Sequence, residues 1–343
     1  MKPVPLENPP NPWSSTLVDY LGDPPGVELQ VYEDQSRSIL AHNDSPDVGF
    51  RWSLNPYRGC FHGCAYCYAR PSHHYLGFGS GTDFERRIVV KPRAPELLRE
   101  AFERPAWQGE LIVVSGNTDC YQPLEASYQL TRSCLEVCVE YRNPIHIITK
   151  APLIERDIEL LAELHRVARV GVSVSIPFHD EKTARAIEPY VTPPARRMRT
   201  VERLAAAGIP VCVNVAPVIP GLNDRDIPAI LERAVQAGAS SAVMILVRLP
   251  GTVKDVFAAR LAEKLPLSSE KILRRTREMR GGKLNDPRFG ARMRGEGQYV
   301  ESIRALFAAT ARRLGLNAQM RETDRSSTFR RPRGPQRQLD LFE

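Results

Sequence analysis

The sequence lacks any apolar run near the length that spans a bilayer. Its first residues lack the basic-then-apolar pattern, closed by small residues, of a secretory leader. Together these absences predict a cytoplasmic protein with no membrane attachment. Internal repeats are missing as well, and aromatic residues make up only 7%. Seven cysteines in a reducing compartment point away from a disulfide framework and toward metal or redox chemistry. The most informative shortage is local. Cys60, Cys64 and Cys67 crowd one stretch, "NPYRGCFHGCAYCYAR" (55–70), with no matching pair nearby to make a set of four. A closed structural zinc site and a fully ligated electron-transfer cluster both want four protein ligands.

What is present is the composition of a soluble globular chain: 42% hydrophobic, 25% charged, mean hydropathy −0.32. Its 343 residues hold one large α/β barrel or two ordinary domains. The formal charge of +7 is unevenly spread. Residues 1–50 carry Glu7, Asp19, Asp23, Glu28, Glu33, Asp34, Asp44 and Asp47 against Lys2 and Arg37. Residues 271–294 reverse this, with Lys271, Arg274, Arg275, Arg277, Arg280, Lys283, Arg288, Arg292 and Arg294 against Glu278 and Asp286. Such density suits a polyanion such as DNA; the competing reading is a solvated helix face that pairs with the acidic arm.

Residues 1–48 are rich in Pro, Asp and Asn and predict an extended arm laid over the domain. Beyond them, β-branched runs at 110–116, 145–149, 169–176, 211–218 and 241–247 alternate with helical patterns at 124–141, 155–167, 194–207 and 226–237. In 194–207 Met198, Val201, Leu204 and Ala205 share one face, and Gly208 stands where a helix C-cap belongs. With a first strand near 49–54, about six β–α units follow, hence a parallel sheet with right-handed crossovers. Such a sheet either winds doubly or curls into a full or partial barrel, and in each case functional groups gather at the strands' C-terminal ends. Residues 251–320 read as added helices that carry the basic cluster. Residues 321–343 predict a disordered tail, polar and rich in Arg and Pro through 337.

The C-x3-C-x2-C spacing bears on the missing fourth ligand. Cys134 and Cys138 sit in a helical pattern and are at least as well explained as core residues. His62 offers a possible cap for zinc, the weaker reading. Three thiolates on a 4Fe–4S cluster leave one iron open to bind and activate another molecule, so the absent ligand is itself a functional feature.

This spacing, with Tyr66 just before the last cysteine, resembles the radical S-adenosylmethionine superfamily, and the fuller string resembles its spore-photoproduct-lyase-like or "DNA repair photolyase" branch. The resemblance runs from about residue 45 to 316. It implies an α/β fold, a partial (β/α)6-type barrel over 49–250 with added C-terminal helices. It also implies a 4Fe–4S cluster on Cys60, Cys64 and Cys67, S-adenosylmethionine as cofactor, and an external electron donor. Ser115, Gly116, Asn117, Thr118 and Asp119 match the segment that meets the methionine moiety. Lys150 is similar to the lysine on the cofactor's carboxylate or ribose, and Ser173 and Ser175 to the serine on the ribose. Asn214 lies in a string like the adenine-contacting segment, and Arg196 and Arg197 are candidate carboxylate contacts. Tyr66 and Tyr68 match a radical-relay pair. The branch's hydrogen-donating cysteine aligns with Gly116, so Cys120, four residues on, is the candidate substitute. DNA-lesion repair is the function this implies. The alternatives are radical chemistry on RNA, a protein or a small molecule, and a non-enzymatic metal-bound nucleic-acid-binding module. The terminal Gln338, Leu339, Asp340, Leu341 and Phe342 resemble the peptide that docks on the bacterial sliding clamp, and large apolar groups beyond a polar linker need some partner. The chain is expected to be a monomer.

Overall fold

The computed structural model describes residues 28–316 and 327–332. Its strands are β1 (Gln30–Glu33), β2 (Leu40–His42), β3 (Trp52–Leu54), β4 (Tyr57–Arg58), β5 (Arg87–Val90), β6 (Ile112–Val114), β7 (Ile145–Thr149), β8 (Val170–Ser175), β9 (Val211–Val218) and β10 (Ser241–Leu246). The main sheet has the order β10-β9-β8-β7-β6-β3-β2. From β3 to β10 every neighbouring pair is parallel, and β2 adds an antiparallel edge on β3. Since β10 and β2 are both edges, the barrel is open, as expected of a partial barrel.

Strand chemistry explains why the sheet has two different faces. In β8, wholly buried, Val170, Val172 and Val174 alternate with Ser173 and Ser175. The valines pack in the helical layer with Leu161 and Leu164 of helix Ile158–Val167 and Met198, Val201 and Leu204 of helix Pro194–Ala206. The serines turn to the lumen, where small polar groups leave room for ligands. Pro194 opens its helix at a position needing no N–H donor, and Gly208 (φ +77°) follows its end.

Three regions depart from the expected organisation. The arm is partly built into the sheets: β1 pairs with β5, and β2 with β3. The helical pattern 124–141 breaks at Gln129 (φ +51°) into Glu125–Tyr128 and Leu130–Tyr141. There the buried Glu125 carboxylate accepts from the N–H groups of Thr131 (2.9 Å) and Arg132 (3.2 Å), capping the second helix. Finally, residues 327–332, expected within a disordered tail, are docked. Phe329 inserts among Phe102 and Tyr141, and Arg331 donates to the carbonyls of Phe102, Arg104 and Trp107. One aromatic and one guanidinium suffice for this, so no periodicity announces it. The remainder of the tail, including the clamp-like motif 338–342, lies outside the described residues.

Candidate active site

The cysteine loop leaves β4 and is held from behind. Gly59 (φ +78°) and Gly63 (φ +66°) sit in the left-handed region, and a Cβ at either would meet a neighbouring side-chain atom at 2.8 Å. Arg70, wholly buried, donates to the carbonyls of Cys64 (2.9 Å), Gly63 (3.0 Å), Ser80 (3.0 Å) and Gly81 (3.0 Å) and to the Glu85 carboxylate (2.5 Å). Gln122 grips the other limb, donating to Gly59 O (3.1 Å) and accepting from Phe61 N–H (3.1 Å). Neither residue announced itself in sequence, because their partners are mainly backbone groups.

Cys60, Cys64 and Cys67 line one cavity of about 220 Å³ at the C-terminal ends of β6 to β10. Burial pushes the Cys60 thiol up to about 12, with Asp119 and Cys67 adding to it. It also pushes Cys64 well above its usual value despite the nearby Lys150. Three thiols gathered on one cavity become thiolates together only around a cationic centre. No three Cys, His, Asp or Glu side chains among the described residues converge closely enough for a single ion. A cubane, whose ligands sit on separate irons, takes more widely spaced thiolates, and it fits this donor set. His62 lines the same cavity, its Nδ1 3.4 Å from Asp119 Oδ2.

The segment after β6 divides its labour. Ser115 Oγ donates to Thr118 O (2.7 Å) and accepts from Cys120 N–H (2.6 Å), and Thr118 Oγ1 donates to Tyr57 O (2.8 Å). Asp119 accepts from Thr149 Oγ1 (2.7 Å), Lys150 N–H (2.7 Å) and Tyr121 N–H (3.0 Å), tying the turn to the end of β7. These side chains shape the turn, with Asn55 Oδ1 holding the N–H groups of Asn117 (2.9 Å) and Thr118 (3.4 Å), and Asn117 lines the cavity. Gly116 presents its carbonyl, which accepts from the Tyr68 hydroxyl.

Lys150, Ser175 and Asn214 line the same cavity. Burial alone would lower Lys150, but Cys64 and Glu188 outweigh it and hold the ammonium above its usual value. Four expected residues lie elsewhere. Ser173 faces a lower chamber of about 810 Å³ at the opposite end of the lumen, its Oγ 2.8 Å from His146 Nε2. Arg196 is paired with Glu155. Arg197 is behind the cavity wall, joined to Glu188 (2.6 Å) and Ser175 O (2.7 Å). Cys120 is fully buried and does not line the cavity, its N–H held by Ser115 Oγ and its carbonyl by Thr131 Oγ1. Glu188, unnoticed in sequence, also accepts from the Tyr66 hydroxyl and so fixes that ring in the wall. Tyr68 stands at the mouth, 48% exposed, with Arg248 over its face.

The basic cluster is less free than its composition suggests. Arg280 is buried, Arg288 pairs with Asp286, and Arg292 with Asp47 of the acidic arm. Arg275 pairs with Glu278 and covers Tyr299. The expected pairing with the arm is therefore partly realised.

An open parallel barrel whose strand ends surround an incompletely ligating cysteine loop defines a cofactor-dependent α/β enzyme. The profile of the Radical SAM superfamily matches residues 54–234, over half the chain, and the protein belongs to that family. Its cofactors are the family's 4Fe–4S cluster and S-adenosylmethionine. Uncharacterised proteins of Mycobacterium bovis and Mycobacterium tuberculosis are 36% identical over 219 residues, 63% of this chain and 64% of each relative. The match thus spans just under two thirds of the mycobacterial proteins. A variant of spore photoproduct lyase superposes with TM-score 0.60 at 15% identity, covering 84% of this chain and 80% of that one. The same enzyme in complex with dinucleoside spore photoproduct gives TM-score 0.51 at 16% identity, covering 68% and 67%.

Proposed function

We propose that this protein acts on DNA and reverses a base lesion by hydrogen-atom chemistry in the cysteine-lined cavity. The observation that carries this reading is the likeness over most of the chain to a fold that takes a dinucleoside lesion. When bound, the cluster and S-adenosylmethionine supply a 5′-deoxyadenosyl radical, with the electron coming from an external donor. The chain's own residues position and enclose. Cys60, Cys64 and Cys67 hold the cluster, and Asn117 with the 115–119 backbone receives the methionine end. Lys150 meets its carboxylate, and Ser175 and Asn214 take the ribose and adenine. Arg197 and Glu188 keep Tyr66 in one rotamer. Because Cys120 does not line the cavity, hydrogen return is assigned to the Tyr68 hydroxyl at the mouth, and the tyrosyl radical so left is quenched by an electron from the external donor and a proton from solvent. A lesion base leaves the stack to reach this depth, while Lys271, Arg277, Lys283 and Arg294 hold the backbone.

Anaerobically reconstituted protein with reductant should contain about four irons per chain and form 5′-deoxyadenosine, and Cys64→Ala should lose both. Product analysis on ultraviolet-irradiated and plain DNA tests the substrate. Turnover of an RNA, protein or small molecule with neither DNA altered would replace this reading. The motif Gln338–Phe342 adds a proposed partner, the bacterial sliding clamp. A peptide of residues 332–343 should bind it with Kd on the order of micromolar, and Leu341→Ala with Phe342→Ala should abolish binding. If neither peptide nor full-length protein binds at about a hundredfold that concentration, the motif has another role.

A further inference from the structure

Arg248 follows β10 and lines the mouth of the cofactor cavity, its guanidinium 5.2 Å from the centre of the Tyr68 ring. No carboxylate among the described residues pairs with it. Its side chain's one hydrogen-bond partner there is the Met293 sulfur (3.2 Å), a weak acceptor. Arg280 stands behind it, 4% exposed, donating to the carbonyls of Val247 and Ala291, both at 2.8 Å. Its Nε has no partner. Carbonyls satisfy geometry without neutralising charge. Arg292, close enough to repel Arg248, is by contrast closed off by Asp47 and Ser45. Burial holds both Arg248 and Arg280 below their usual basicity, outweighing Asp47 near the first and Asp286 and Glu296 near the second. Burying a guanidinium without an ion pair is unfavourable, and beside its reaction chamber the fold buries Arg280 and half-buries Arg248.

We infer that Arg248 grips an oxyanion of the substrate at the cavity mouth, a phosphodiester beside the reacting nucleotide, with Arg280 as a fixed second charge beneath it. The identity of the anion rests on the nucleic-acid reading above; the grip itself does not. Arginine suits the position because its plane lies on Tyr68 while its donors remain free to meet two oxygens together. Lysine would keep the charge but lose the stacking and the fork.

The test uses the reconstituted full chain and two probes, a short fluorescent oligothymidylate and inorganic pyrophosphate. Arg248→Met and Arg248→Gln are compared with Arg248→Lys, so a variant that misfolds, judged by circular dichroism, leaves another to be read. Either neutral variant should bind the oligonucleotide at least about tenfold more weakly. Its log K against log salt should flatten by about one, and lysine should restore part of the affinity. Pyrophosphate should raise the Tm of the wild type and lose that effect in the neutral variants. Equal oligonucleotide affinity and salt slope in wild type and neutral variants would overturn the grip while leaving the DNA reading intact. Pyrophosphate stabilisation that depends on Arg248, with no oligonucleotide binding by any form, would keep the grip and remove the DNA reading. Pyrophosphate stabilisation equal in all forms would overturn the grip.

Discussion

His146 shows how a single side chain reports on the lumen. Its Nε2 meets Ser173 Oγ at 2.8 Å, its Nδ1 has no partner, and burial, with Arg169 adding, lowers its pKa from 6.5 to about 4. His73, buried against Arg87 O, is lowered to about 4 in the same way. Both folded-state values lie below the unfolded one, so the unfolded chain takes up these protons first. Their contribution is complete above about pH 6.5 and is lost as pH falls toward 4, by up to ~3 kcal/mol for each group. The urea midpoint should therefore drop between pH 7 and pH 5, and His146→Gln should show a shallower drop. An identical pH profile in that variant would remove His146 from the account. At this scale the sequence was legible where chemistry is concentrated in short motifs. Cys60, Cys64 and Cys67, set apart by their spacing, share a cavity with Lys150, Ser175 and Asn214, residues that only the family resemblance singled out. Arg70, Gln122 and Glu188 were not legible, since what they hold is backbone or a tyrosine far along the chain, and neither leaves a spacing to recognise.

Elements were legible where burial on both faces writes a β-branched run broken only by small or polar residues on the lumen side. The expected runs at 145–149 and 211–218 are β7 and β9 to the residue. The small sheet β1-β5-β4 escaped because its strands are short, and β1 is exposed along its length, leaving no apolar alternation to read. The docked strap 327–332 escaped for the opposite reason, because its hold depends on a void elsewhere. Gly109 (φ +76°) provides that void, and a Cβ there would come within 2.1 Å of Phe329 Cβ and 2.3 Å of Ser327 Oγ. Gly109→Ala should therefore release the strap, exposing the Arg330–Arg331 bond to limited trypsinolysis and lowering stability by about 1–3 kcal/mol. Trypsin resistance equal to wild type would show that the strap tolerates the added atom.

Across the whole molecule, no helix among the described residues is long and apolar enough to cross a membrane, and charge is the property that sets one region apart from another. Helix Pro266–Glu278 lies against the turn after β9, with Lys271 and Arg275 beside Gly221, which puts basic residues at the strand ends that form the cavity. Pairing removes several of the nine from any polyanion contact. Lys271, Arg277, Lys283 and Arg294 remain exposed, without a carboxylate partner among the described residues. Replacing these four by Ala should flatten the salt dependence of DNA binding by up to about three to four units of log K per log salt. Replacing Arg275 should instead lower Tm, because it covers Tyr299 and bonds Glu278. A quadruple variant with an unaltered salt slope would place the DNA contact elsewhere.

The frame around the cysteine loop has a consequence for the protein's life in air. Arg70 and Gln122 bind the loop's carbonyls and N–H groups without using a single sulfur, so the cradle is built by the polypeptide and not by the iron it receives. Oxygen that strips the cluster would leave a folded vessel rather than a collapsed one, ready for recharging by an iron–sulfur donor. Refilling would stay possible until the bared thiols themselves are oxidised beyond reversal.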